Sequence, residues 1–415
     1  LFRSDGILSV SSRDSSIATA SIDSGVITIT AVSSGTTSVL VKVSDTTNYN
    51  SVNTKIDVAV SLISIYGVSW DGTSTTAFSR TDDAADFVDP NPYYSGMSTT
   101  PSSPFDDLYP WNEIERVTDS VGGEMVKIPK YWFKWTKSGT VMTLQISDAE
   151  QDGFYVSPAH ADRGDGYGER DYVYVGRYHC NSSYKSVTST TPKVSITRAA
   201  ARSGCSALGN DYWQYDFSMY WTIMMLYLVE FADWDSQTKI GYGCAPNGST
   251  SAVRTMGYTD SMPYHTGTDQ TSRTTYGGTQ YRYIEGLWDN CFNFCDGIYF
   301  SDANIYCIKN PANFSDTSNG TLIGTRPTSS GYISAWSIPS VDGYEYALYP
   351  SAVTGSNTTY CPDYCHYNAS GVVLRVGGGY GQNTNRGAFC LSGDSAASDS
   401  YASVGCRLQK LPSTA

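Results

Sequence analysis

The most apolar stretch of the chain, YWTIMMLYLVEFADW, covers residues 220–234 and constrains how the sequence around it can fold. It is shorter than the roughly 20 apolar residues that a membrane span needs, and it ends in charged residues. A helix buried in the interior fits both properties. A second helix is predicted for residues 195–210, with Ser195 or Thr197 as its N-cap and Gly209 near its end.

The composition favours an exposed, β-rich binding protein over a metabolic enzyme. Charged residues make up only 16% of the 415 residues, whereas the chain has 33 Tyr and abundant Ser, Thr and Gly. Tyr offers a large contact area at low entropic cost, and Ser, Gly and Asn offer adaptable hydrogen bonds. The net charge of −13 argues against nucleic acid and anionic membranes as partners. No apolar run is long enough for membrane insertion, and the length predicts two or three domains.

The first 62 residues are predicted to form a separate all-β domain. Residues 25–32, 36–45 and 55–60 alternate apolar and polar side chains with the period of a strand, which indicates half of a β-sandwich. The stretch SSIATASIDSGVITITAVSSGTTSVLVKVSD resembles a bacterial Ig-like domain of group 2. The resemblance implies a small all-β Ig-like sandwich over residues 1–62, a spacer or surface adhesin whose first strand is truncated at Leu1.

Three short motifs in the second half of the chain resemble one fold family. YRYIEGLWDNCFNFCDGIYF (residues 281–300) contains a turn expected to bury Trp288 and Phe294. LRVGGGY (374–380) leads from a strand into a loop, and GCRL (405–408) ends the pattern. In this order they resemble the C-type lectin fold in its formylglycine-generating-enzyme-like branch. The resemblance implies an α+β C-type lectin fold with long loops over residues 63–415, and outside the two helices we expect an irregular, strand-poor chain.

A closer resemblance runs from YGVSWDGTSTTAFSRTDDA to GCRLQKLP. This region looks like tail and receptor-binding proteins of phages and prophages of gut bacteria, whose C-terminal segment is commonly rewritten by a diversity-generating retroelement. Replacing the adenines of the favoured codon, AAC, never yields Gln, Lys, Glu, Met or Trp. Between Gly379 and Ser403 the one residue of that excluded set is Gln382. The composition agrees with a variable region at about residues 375–408, although short polar loops are commonly poor in these residues too.

The resemblance assigns ligand binding to the positions where the family's template has Asn or an aromatic residue. These positions are Gly379, Tyr380, Gly381, Gln382, Asn383, Asn385, Cys390, Ser392, Asp394, Ser395, Asp399, Tyr401 and Ser403. The residues that alternate with them are expected to face the core, namely Phe389, Leu391, Ala396, Ala397, Val404 and Cys406.

The resemblance implies a phage-encoded receptor-binding or surface-display protein of the virion, whose hypervariable C-terminal loop binds diverse ligands on the bacterial host. The expected partners are a host cell-surface protein or glycan and other tail or capsid proteins. A homo-oligomer such as a trimer would add avidity. The alternative is a structural tail or capsid decoration protein without a dedicated ligand. A remote alternative is an oxidase of the formylglycine-generating type that uses Cys390.

No catalytic residue, metal site or cofactor is predicted. An oxidase needs a thiolate of lowered pKa, and no His or Lys occurs between Tyr367 and Gln409 to provide one. The acidic run at residues 160–171 lacks the spacing of a calcium loop, so a self-paired turn is expected there. C-x3-C spacing is unusual for zinc. The pairs with this spacing are Cys291/Cys295 and Cys361/Cys365.

Overall fold

The computed structural model describes residues 6–47, 50–60, 63–243, 252–381 and 384–413. The chain divides into two compact units, Leu1–Ser64 and Ile65–Ala415. This boundary lies close to the one predicted after residue 62. Each unit has a hydrophobic interior of its own.

The first unit consists of two antiparallel sheets in its described part. The strands are β1 Leu8–Ser12, β2 Ala18–Asp23, β3 Val26–Ala31, β4 Gly35–Val43 and β5 Val52–Val60. One sheet has the order β1-β4-β5 and the other is the hairpin β2-β3. The strands predicted at residues 25–32, 36–45 and 55–60 are confirmed as β3, β4 and β5. The small core includes Ala18, Val39 and Val41.

The second unit is mostly β-sheet with three α-helices among its described residues, and it corrects the expectation of a strand-poor chain. An α+β architecture is present, and most of its strands have five residues or fewer. The helices are α1 Arg198–Ser206, α2 Phe217–Phe231 and α3 Ser236–Lys239, with short 3-10 helices at Trp111–Glu113 and Pro311–Asn313. The strands are β6 Ile65–Trp70, β7 Phe78–Asp82, β8 Glu115–Asp119, β9 Gly123–Pro129, β10 Trp132–Ser138, β11 Val141–Ser147, β12 Tyr155–Val156, β13 Tyr172–His179, β14 Tyr212–Gln214, β15 Gly267–Thr268, β16 Thr279–Tyr281, β17 Ile284–Glu285, β18 Phe292–Ser301, β19 Asn304–Cys307, β20 Thr321–Thr325, β21 Gly331–Tyr332, β22 Ala335–Ser337, β23 Tyr349–Ala352, β24 Tyr364–Tyr367, β25 Val373–Val376, β26 Leu391–Ser395, β27 Val404–Gly405 and β28 Arg407–Lys410.

Three large sheets organise this unit. Two have five strands, in the orders β12-β10-β11-β6-β7 and β14-β28-β13-β9-β8. The third has eight strands, in the order β20-β19-β18-β25-β26-β24-β21, and β27 pairs with β18 outside this path. The C-terminal strand β28 therefore lies inside a sheet, between β14 and β13.

Helix α2 lies in the centre of the second unit, and every one of its residues is buried. It begins at Phe217 because the Asp216 side chain accepts a hydrogen bond from the Met219 N–H at 2.9 Å. It ends where Ala232 adopts a left-handed conformation, with φ of 49°. A helix that is apolar on all sides belongs in a core, so the buried helix predicted at residues 220–234 is confirmed, displaced by three residues. The described residues include no helix that could cross a membrane.

The motif residues of the second unit occupy structural positions. Trp288 and Phe294 are fully buried, as predicted, beside a turn that contains Asn290 at a φ of 60°. Arg407, from the GCRL motif, is also fully buried. Its guanidinium donates hydrogen bonds to four backbone carbonyls, those of Gly176, Arg177, Glu285 and Gly286.

Candidate functional site

The segment predicted to vary, residues 375–408, contributes strands to two sheets of the second unit. It leaves β25, continues outside the strands through the described residues 377–381 and 384–390, returns as β26 and then turns through residues 396–403 into β27 and β28. β26 lies between β25 and β24 in the eight-stranded sheet. The segment is therefore a structural part of the fold as well as a candidate binding surface.

Groups outside the segment hold the backbone of its loop. The buried Asp363 carboxylate accepts hydrogen bonds from the Gly387 N–H at 2.6 Å and from the Phe389 N–H at 2.8 Å. The Ser236 hydroxyl accepts one from the Ala388 N–H at 2.9 Å. Burial raises the pKa of Asp363 to about 7, against the effect of the two backbone N–H groups. Sequence reasoning missed Asp363, because it lies outside the segment and belongs to no motif.

Phe389 anchors the same loop in the core. Its ring contacts the edge of Trp234 with ring centres 4.7 Å apart and also packs on Tyr227. The Tyr220 hydroxyl donates a hydrogen bond to the Ala388 carbonyl at 3.0 Å. Through these contacts α2 and the residues that follow it support the loop from below.

Four of the predicted ligand-binding positions are buried, which corrects the expectation that they are displayed. Ser392 and Ser395 are 1% exposed, Cys390 is fully buried, and Gly379 packs beneath Ser403. Strand alternation does not place one of two successive residues outside here, because both faces of β26 are covered and four of its five residues are buried. Its register against β25 also shifts between the pairs Arg375↔Ser392 and Val373↔Ser395, and such a bulge interrupts the alternation.

The other predicted positions are partly or fully accessible where they are described. Tyr401 is 45% exposed. Gln382 and Asn383 lie outside the described residues. Those of intermediate exposure are Tyr380, Gly381, Asn385, Asp394, Asp399 and Ser403. Burial is confirmed for Phe389, Leu391, Val404 and Cys406. Ala396 and Ala397, also expected in the core, are only partly buried.

A cleft of about 230 Å³ opens beside the accessible residues. The Arg375 guanidinium lies 5.2 Å from the centre of the Phe292 ring and 5.5 Å from that of Tyr401. The Arg386 guanidinium lies 5.6 Å from the centre of the Phe292 ring. The cleft is lined by Phe292, Arg375, Arg386, Asp394, Tyr401 and Ser403. Three of these, Asp394, Tyr401 and Ser403, were predicted as ligand-binding residues.

The charges at the cleft are two guanidiniums and one carboxylate. Arg375 forms an ion pair with Asp394 at 2.5 Å. Burial acts to raise the pKa of Asp394, but the neighbouring Arg375 outweighs it and the pKa is lowered. Arg386 donates a hydrogen bond to Ser392 at 3.4 Å. Because the cationic groups outnumber the anionic one beside two aromatic rings, the cleft can bind a ligand group that is anionic or rich in hydrogen-bond acceptors.

Arg386 and Phe292 were not predicted as site residues. Arg386 lies inside the segment predicted to vary, and Arg is among the residues that adenine replacement can produce, so its type alone could have included it. Phe292 lies at the start of β18, far away in sequence, and it joins the cleft because its N–H donates a hydrogen bond to the Ser403 carbonyl at 2.9 Å. A pairing of that kind carries no signal in a single sequence.

The turn that holds Tyr401 is fixed by its own side chains and by a distant backbone group. The Asp399 carboxylate accepts hydrogen bonds from the Ala396 N–H and from the Tyr401 hydroxyl, both at 2.9 Å. The Tyr401 carbonyl accepts one from the Ser195 N–H at 3.0 Å. The ring of Tyr401 is thereby held at the rim of the cleft.

The possible oxidase, calcium and zinc sites considered in the sequence analysis consist of residues that are buried or paired with neighbouring side chains. Burial raises the pKa of Cys390, which works against the thiolate that an oxidase needs. In the acidic run, the Asp165 carboxylate pairs with Arg170 at 2.6 Å, as expected for a self-paired turn. The cysteines of both C-x3-C pairs are buried, and they do not converge with other metal-binding side chains in the described part of the chain.

Comparisons of the whole chain with known proteins do not assign a family. No protein-family model matches the sequence, and no curated protein matches it significantly.

Proposed function

We propose that the protein is a phage-encoded receptor-binding or surface-display protein with a C-type lectin fold, carried on an Ig-like spacer. The observation that supports this most is that the backbone of residues 375–408 and the cleft beside it depend on different groups. Asp363, Ser236 and α2 hold its backbone from outside, while its own side chains line the cleft. Side chains at the cleft can therefore change while the supporting contacts stay the same.

The cleft favours a small anionic or acceptor-rich group of a host cell-surface glycan or protein. Its volume lies below the range of about 300–1,000 Å³ that is typical of sites for drug-sized ligands, so it suits one sugar ring or one side chain of a larger ligand. Arg386 and Arg375 would pair with acceptor oxygens, and Tyr401 would contribute aromatic contact area. A single contact of this size is weak, so display of several copies on one virion would raise the avidity.

Substitution of Tyr401 tests the proposal. Tyr401→Ala removes the most exposed aromatic ring at the cleft, and we expect at least a tenfold loss of binding to host cells or to a glycan array, because buried aromatic contacts dominate such interfaces. Tyr167→Ala is the matched control, since Tyr167 is similarly exposed, at 51%, and lies far from the cleft residues in sequence.

Equal binding by the two variants would contradict the proposal. A wild-type chain that binds no host-surface ligand but is required for virion assembly would favour the decoration protein. Sequencing of related phages adds an independent test. The proposal requires substitutions to concentrate between Gly379 and Ser403, and within that range at the accessible positions rather than at the buried ones.

A further inference from the structure

Three cysteines that are far apart in sequence meet in the interior of the second unit. Cys180 follows β13, Cys205 lies in the last turn of α1, and Cys406 lies between β27 and β28. The Sγ atoms of Cys180 and Cys205 are 3.9 Å apart, and all three Sγ atoms lie within 4.8 Å of one another. All three thiols are buried and free of disulfides.

The Cys180–Cys205 separation matches the geometry of sulfur atoms around one metal ion, and the other two separations are at most 4.8 Å. A metal–thiolate bond of about 2.3 Å places three sulfurs in one plane about 4.0 Å apart, because that separation is the bond length multiplied by the square root of three. A disulfide would need two of the sulfurs about 2.05 Å apart. The observed 3.9 Å separation is close to the metal value and almost twice the disulfide value.

The backbone fixes the cluster in place. The Cys180 N–H donates a hydrogen bond to the Cys406 carbonyl at 2.8 Å, and the Lys193 N–H donates one to the Cys180 carbonyl at 2.7 Å. Cys205 is carried by a helix whose N-cap, Thr197, accepts a hydrogen bond from the Ala200 N–H. The three sulfurs are therefore held close together by secondary structure rather than by flexible loops.

Apolar side chains enclose the cluster, among them Met125, Ala201 and Leu408. Within the described residues, no further His, Cys, Asp or Glu joins the three sulfurs. A metal ion bound there would therefore have three sulfur ligands from these residues.

We propose that Cys180, Cys205 and Cys406 bind one thiophilic metal ion through three thiolates. The ion would connect α1, the end of β13 and the junction between β27 and β28 at the end of residues 375–408. Structural zinc sites are almost always four-coordinate, and soft thiolate ligands also select Cu(I). The enclosed three-sulfur arrangement favours Cu(I) over zinc. This inference is independent of the proposed function.

Metal content tests the proposal. The full chain is produced in medium with added copper or, separately, added zinc, and is purified under reducing and oxygen-free conditions. Native mass spectrometry and elemental analysis then count the ions per chain. We expect one ion per chain, with higher occupancy in the copper arm. X-ray absorption of the loaded wild-type chain should show three sulfur ligands at about 2.3 Å.

Cys205→Ala should lower the metal content at least tenfold, and Cys307→Ala is the matched control. Cys307 is similarly buried but lies on β19, outside the cluster, so its variant should keep the ion. If Cys205→Ala does not fold, the sulfur count from X-ray absorption of the wild-type chain decides. A wild-type chain without metal in either arm, preference for zinc over copper, metal retained by Cys205→Ala, or a chain lighter by two hydrogens from a disulfide would each overturn the proposal.

Discussion

The burial of Asp363 should make the free energy of unfolding depend on pH. Its pKa is raised to about 7 in the folded chain, compared with about 3.9 for an exposed Asp. The folded state therefore binds more protons than the unfolded state between these two values. By linkage, this contribution to stability is fully present at the acid end of the window and is lost as the pH rises through 7. Three other buried carboxyls shift in the same direction, Asp233 and Glu285 to about 7 and Asp289 to about 6.

We expect the free energy of unfolding to fall as the pH rises from 5 to 8, by at most about 1.4 kcal/mol per pH unit for each such group. Asp363→Asn cannot ionise, and its amide nitrogen cannot accept a hydrogen bond from a backbone N–H at any pH. It should be less stable than wild type at pH 5, and the difference should shrink towards pH 8, where wild type has lost the contribution of the raised Asp363 pKa. Denaturant unfolding across this range measures both curves. A stability difference that does not change with pH would refute this assignment.

At the scale of elements, the long and strongly patterned segments were predictable. The apolar run at residues 220–234 predicted α2. Thr197 was one of the two predicted N-caps of α1, and its side chain accepts the capping hydrogen bond. The prediction placed α2 three residues late because it followed the apolar residues, whereas the helix begins after Asp216, the N-cap that satisfies its first N–H groups.

The short strands and much of the site could not be predicted in the same way. Strands such as β17 and β27 have two residues each, too few to show a period, and their positions depend on distant partners. The exposure of Ser392 and Ser395 was predicted wrongly because alternation assumes a regular strand with one open face. The sequence of the five residues of β26, Leu391–Ser395, shows neither that both faces of the strand are covered nor that its register shifts.

Two glycines of residues 375–408 provide a matched test of the junction that follows β25. Both have positive φ, 77° at Gly377 and 73° at Gly381, which costs a residue with a side chain about 1–2 kcal/mol. A Cβ at Gly377 would lie 2.1 Å from the Leu287 carbonyl oxygen, whereas one at Gly381 would have nothing within 4 Å. Gly377→Ala should therefore destabilise the chain clearly more than Gly381→Ala in thermal or denaturant unfolding. Equal losses would show that the junction relaxes.

For the whole molecule, the two units predict two separable parts. Each has its own buried residues and its own sheets, as expected for domains that fold by themselves. We expect a chain that begins at Ile65 to unfold in a cooperative transition and to keep the ligand binding of the full chain per molecule. Calorimetry and the host-binding measurement check this. Loss of binding with an intact transition would instead place part of the ligand site on the first unit.

The position of β28 inside a sheet, after residues 375–406 in sequence, has a consequence for how changes in those residues can be tolerated. The sheet β14-β28-β13 cannot close until the ribosome has passed these residues, and Phe389 must be in place for the core around Trp234 to fill. A frameshift or premature stop before residue 389 would remove both β28 and Phe389, and the chain would be left for the proteases that remove unfolded proteins. If residues 375–408 vary as proposed, only complete and in-frame copies of the chain would therefore fold.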